Sequence, residues 1–118
     1  MQEFMIFIKT KGDHLAELSP EQQQAHVQKI GRYIGGLMES GKLKGAQPLE
    51  MDGAVIHGNK GNFKDGPFNE SKEVIVGYFH ILAENLEEAI TIAKANPMFE
   101  SQEATIEIRP IKQMDGIN

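Results

Sequence analysis

The chain contains no cysteine. Disulfides, thiolate metal sites and thiol nucleophiles are therefore excluded together, and a cytoplasmic location is the expectation. A cluster of Lys or Arg is also missing. Seventeen acidic residues stand against twelve basic ones, for a formal charge of −5, and no basic stripe could track a phosphate backbone, so nucleic acid is not an expected partner. Long apolar runs are absent as well. In "MQEFMIFIKTKGD" only five consecutive apolar residues lie between Glu3 and Lys9, too few for a signal-peptide core or a membrane span, and no membrane association is expected.

Chemical motifs are sparse in the same way. Gly58, Gly61 and Gly66 precede no G-K-[ST] and open no G-x-G-x-x-G helix, so no nucleotide cofactor is expected. No serine lies in a nucleophile elbow. The four histidines show neither H-x-H nor H-x-x-x-H spacing, which argues against a metal site. At 118 residues, 40% hydrophobic and 25% charged, residues 1–118 are read as a single globular domain with one core.

What is present reads as alternating strands and helices. Glu3 to Lys9 is a strand apolar on both sides, with Phe4, Ile6 and Ile8 against Met5 and Phe7. Ser19, Pro20 and Gln22 form a capping box and open a helix whose apolar positions are Val27, Ile30, Ile34, Leu37 and Met38; "SGKLKG" ends it. "GAVIHGNKGNFK" reads as a hairpin. Val74 to Ala83 is a second doubly apolar strand, with Ile75, Phe79 and Ile81 on one side and Val76, Tyr78 and Leu82 on the other; Gly77 leaves room for a neighbour. A short helix follows, capped by Asn85 with Glu88 closing the box, and Asn96-Pro97 stops it. Finally "ATIEIRPI" sets Ile106 and Ile108 against Thr105, Glu107 and Arg109, the mark of an edge strand.

Two doubly apolar strands among two helices fit an α+β, ferredoxin-like split βαβ sandwich with those strands central. Two helices cover only one sheet face. The uncovered face would carry Tyr78, and a second copy of the sheet is its economical cover, so a homodimer is expected.

The ordered set Asp65-Gly66-Pro67-Phe68, Glu70, Lys72, Glu73, Gly77-Tyr78-Phe79, "NLEEAI" and Arg109-Pro110 resembles the DGPF-domain, YCII-related proteins over nearly the whole chain. The resemblance implies a ferredoxin-like dimeric α+β barrel with a cleft near the dimer interface. It further implies an active site built from an Asp and a His. Asp65 matches the motif directly. No motif surrounds any histidine, and "AVIHGNKGN" departs from the Ala-Thr-Thr-Val-Arg-like segment of many relatives.

Each candidate has a plain alternative. Asp65 is read either as an Asx-turn residue or as a carboxylate held at an apolar cleft, where desolvation raises its pKa. Gly66, Pro67 and Phe68 are read as the turn that holds it. His26 falls roughly 60° from the centre of the apolar helix stripe; it is either a hydrogen-bonded flank residue or the acid/base partner of Asp65. His80 is the rival partner or an interface residue, and His14 and His57 are expected to be solvated. Tyr78 would line the cleft, and Arg109 would bind an anionic substrate or pair with Glu107 or Glu73. Two functions follow: cofactor-free proton transfer on a small organic molecule, or a binding module without turnover.

Overall fold

A computed structural model describes residues 1–67 and 73–118. Among these, six strands and three helices run in the order β1 (Gln2–Lys11), α1 (Pro20–Glu39), β2 (Leu43–Pro48), β3 (Ala54–Asn59), β4 (Asn62–Pro67), β5 (Glu73–Ala83), α2 (Leu86–Lys94), α3 (Met98–Ser101) and β6 (Thr105–Pro110). The main sheet has the order β2-β5-β1-β6, with β1 antiparallel to both β5 and β6. The doubly apolar strands are central and β6 is an edge, as the residue pattern predicts. This is the ferredoxin-like α+β arrangement.

The helix-covered face of the sheet is the core. Phe4, Ile6, Ile8, Phe79 and Ile81 are buried there with Ala89 and Ala93 of α2 and Leu37 of α1. Phe4 and Ile81 are completely enclosed, and burial of side chains of that size contributes about 1.5–3 kcal/mol each. The opposite face is open. Across it Met5 pairs with His80 and Arg109, and Phe7 with Tyr78 and Glu107; Met5, Phe7 and Tyr78 are all half-buried.

Strict alternation along β5 does not hold. Ile8 pairs with Gly77 but Lys9 pairs with Ile75, so Val76 is the extra residue of a β-bulge. The bulge shifts the phase: Val74 and Val76 join Phe79 and Ile81 in the core, while Ile75 turns to the open face and is 39% exposed. The expected pairing of Ile75 with the core side is corrected on that ground. Gly77 does make room for a neighbour, since a Cβ there would lie 3.1 Å from the Gln47 carbonyl oxygen of β2.

Helix α1 begins as its sequence dictates. The Ser19 side chain accepts from the Gln22 N–H and the Gln22 side chain accepts from the Ser19 N–H, at 3.1 and 2.9 Å. It ends in a Schellman motif: Gly41, at φ 73°, donates to Met38 and Lys42 donates to Leu37. Its buried face differs from the expected stripe. Val27 and Met38 are 62% and 65% exposed, whereas His26 and Leu37 are buried, and the inward line runs His26, Ile30, Tyr33/Ile34, Leu37 at the usual helical spacing. In α2, Asn85 caps as expected, but Glu88 accepts from the Glu84 N–H, one residue earlier than a capping box would have it.

Two further corrections concern the middle of the chain. Strand β2, "LKGAQP", has little strand character of its own and is held by its pairing with β5. Strands β3 and β4 form a separate two-stranded sheet, an arm whose side chains are almost all exposed, Ile56 at 69% and Phe63 at 64%. The predicted hairpin exists, but Asp65, Gly66 and Pro67 belong to strand β4 and do not make a turn. Gly66 is not among the positive-φ glycines; the arm turns at Lys60 and Gly61, the latter at φ 84°, while Gly58 lies within β3 at φ 131°. Phe68 lies outside the described residues.

Candidate functional site

The loop between β1 and α1 is pinned by short-range polar contacts. Thr10 donates from its hydroxyl to the Gly12 carbonyl at 2.7 Å, and Asp13 accepts from the Leu15 N–H at 2.9 Å. From inside α1, the Gln23 amide donates to the carbonyls of Leu15 and Leu18 at 3.0 and 3.2 Å. Folded back in this way, the loop brings His14 onto the first turns of α1. The rings of His14 and His26 meet edge to face, with centroids 5.6 Å apart and planes at 70°.

The two rings form part of the wall of a pocket of about 500 Å³. Ile8, Val76 and Phe79 line it from the sheet, Val27, Ile30 and Ile34 from α1, and the stretch from Ala46 to Met51 from the other side. Deep beside it, Tyr33 packs edge-on against Phe79 with centroids 5.7 Å apart and donates its hydroxyl to the Ile92 carbonyl. Burial pushes the Tyr33 phenol up to about 12. That hydroxyl holds α1 to α2 and stays protonated near neutral pH.

Both imidazoles are held neutral. Burial lowers the pKa of His14, and the neighbouring His26 lowers it further against a smaller upward pull from Asp13. Burial also lowers His26, with the Lys29 ammonium adding to the effect. The His14 Nδ1 is shut off from solvent without a hydrogen-bond partner among the described residues. Protonating the ring at both nitrogens would bury the Nδ1–H without an acceptor, which agrees with the lowered pKa. A proton on one ring opposes a proton on the other, since His26 lowers the His14 value.

The remaining candidates lie elsewhere. Asp65 is exposed on the arm, opposite Ile56, and it is not part of the pocket wall. One protomer does not bring it to His26. His80 is on the open sheet face, 2.8 Å from a Glu3 carboxylate oxygen that also faces Lys44 at 3.5 Å. Tyr78 shares that face and is not part of the pocket wall. Arg109 is exposed there, 4.0 Å from Glu107, so the pairing with Glu107 is the reading the geometry favours. His57 is exposed, as expected, but His14 is half-buried with its Nδ1 shut off from solvent. Its burial escaped the sequence because it depends on the Gln23 tether, for which no local motif exists. Among the described residues no group of three or more His, Asp or Glu is placed to hold a metal ion.

With the fold and pocket in place, comparison with known families gives one assignment: residues 2–115 match the YCII-related domain. The chain belongs to the YCII-related family. A comparison with curated proteins gives no match. For this YCII-related chain the ferredoxin-like sheet and the family agree over nearly the whole sequence. Among the described residues no helix is long and apolar enough to cross a membrane.

Proposed function

We propose that this YCII-related protein is a cytosolic homodimer that takes a small, largely apolar organic molecule into the pocket beneath α1 and moves a proton on it with His26, assisted by His14. The observation that carries this reading is the edge-to-face contact of two imidazoles, 5.6 Å between centroids, on the wall of an apolar cavity. A neutral imidazole accepts a proton from an acidic C–H or O–H, and the imidazolium so formed, its pKa lowered by burial, gives it back. With a ketone, the C–H electron pair moves into an enolate as the ring takes the proton, and reprotonation restores the ketone. Asp65 takes part only where the arm of a second copy delivers it.

The homodimer rests on the open sheet face. The molecule is 18 Å across its thinnest dimension, about one sheet and one helix layer, and Met5, Phe7, Tyr78 and Leu82 lie on the side that the helices leave bare. Around them stand charges of both signs, Lys9 with Glu107 at 2.6 Å and Glu3 with Lys44 and His80. A second copy can face such a surface without opposing a wall of like charge.

A non-catalytic binding module is the second reading. It is favoured by the absence, among the described residues, of a carboxylate hydrogen-bonded to either pocket histidine to orient it. Deuterium exchange at the activated CH₂ of 2-tetralone, followed by NMR in D₂O, separates the two. Catalysis predicts exchange faster than buffer, reduced to the buffer rate in His26→Gln. Binding without acceleration would leave the protein a carrier or sensor.

A further inference from the structure

The pocket has a charge pattern that its shape alone does not require. Among the described residues its wall includes two carboxylates, Asp13 and Glu50, both on solvent-exposed residues, and no Lys or Arg. Lys29 acts on His26 from outside the wall and faces Glu100 at 3.4 Å. The polar groups that remain are neutral: two imidazoles and the Gln47 amide. Most of the rest is aliphatic or aromatic.

An anion entering such a cavity leaves water without gaining a countercharge. Carboxylates and phosphates are normally bound by Arg, Lys, a metal or a helix N-terminus, because an ion removed from water needs a partner of opposite sign. Here it would find no cation, two carboxylates on the exposed part of the wall, and rings that disfavour protonation. An uncharged molecule meets none of these penalties, and its single polar head has imidazole and amide groups to bond.

We infer that the pocket selects uncharged apolar molecules bearing one hydrogen-bonding head and rejects carboxylates and phosphates, with Asp13 and Glu50 as the residues that enforce the rejection. This inference rests on the pocket being the ligand site, as proposed above. It names a substrate class for that site: neutral carbonyl, amide or alcohol compounds, and not the acids to which they are metabolically related. Arg109, the residue that sequence chemistry offers as an anion anchor, is on the open sheet face and plays no part in it.

The test uses an isosteric pair, naphthalene-2-carboxamide and 2-naphthoate, titrated at pH 7.5 into the full chain with the His14 and His26 ring signals as the readout. The amide is expected to shift both rings and to bind at least about tenfold more tightly than the acid. In the double variant Asp13→Asn, Glu50→Gln the naphthoate affinity should rise and the ratio shrink, and an unchanged ratio overturns the role of these two residues; the substituted amide keeps an oxygen to accept from the Leu15 N–H, and a parent-like urea midpoint checks the fold. Equal or tighter binding of 2-naphthoate by the unaltered protein overturns the inference while leaving the pocket reading intact. If neither compound moves the two rings, the pocket reading fails and the inference falls with it.

Discussion

His14 reaches His26 across the start of α1, edge to face at 5.6 Å, and each ring has a pKa below the ordinary histidine value. The first prediction follows from that contact. In an NMR pH titration both rings should protonate below 6.5. His26→Gln removes one neighbouring charge and should raise the His14 value; Asp13→Asn removes an attraction and should lower it. Because the folded rings bind protons less readily than the unfolded chain does, their contribution to stability is complete above pH 6.5 and is lost as pH falls from there through the folded values. Glu3, Glu88 and Glu107, held below 4.5 mainly by hydrogen bonds from His80, Lys42 and Lys9, add a second loss that begins only below that value. Urea midpoints measured from pH 8 to pH 3 should therefore decline in two stages.

A pair of glycines separates crowding from open space. Gly77 lies at the β5 bulge with the Gln47 carbonyl oxygen 3.1 Å from where a Cβ would go, whereas a Cβ at Gly66 meets nothing within 4 Å. Gly77→Val should cost about 1–3 kcal/mol, and Gly66→Val should stay within about 0.5 kcal/mol of the parent. Chemical denaturation of both variants checks the contrast, and a large loss at Gly66 would restore the turn that the motif's composition predicts.

The elements that local chemistry controls were legible in the sequence. Ser19, Pro20 and Gln22 specify a helix start within four residues, and β1 is central because both its faces are apolar. Non-local causes were not legible. "LKGAQP" becomes a strand because β5 offers it a free edge, and nothing in Lys44, Gly45 or Pro48 announces that. One extra residue at Val76 reverses the facing of Ile75, an effect that alternation cannot anticipate. Val27 and His26 are neighbours on one helix, and which of them turns inward depends on how α1 lies on the sheet. In Asp65-Gly66-Pro67 the turn-forming composition was overridden by pairing with Ala54, Val55 and Ile56 across the arm. Positions in the pocket were the least legible: the burial of His26 followed from its place on the helix, that of His14 did not, and Asp65 is not part of the pocket wall of one protomer.

Tyr78 offers a test of the open face. It stands opposite Phe7 at the centre of the bare sheet surface, so Tyr78→Asp would place a charge in any interface formed there. Light scattering on a sizing column should give twice 13.1 kDa for the parent and a smaller mass for the variant. A parent that is monomeric at micromolar concentration would refute the dimer.

The most direct measurement of the central claim, that the His14/His26 pocket is where this protein meets its ligand, is a titration with 2-tetralone that follows all four histidine ring signals. The account predicts saturable shifts of His14 and His26, with His57 on the arm and His80 on the open face unmoved. Shifts confined to His57 or His80, or none at any histidine, would contradict it.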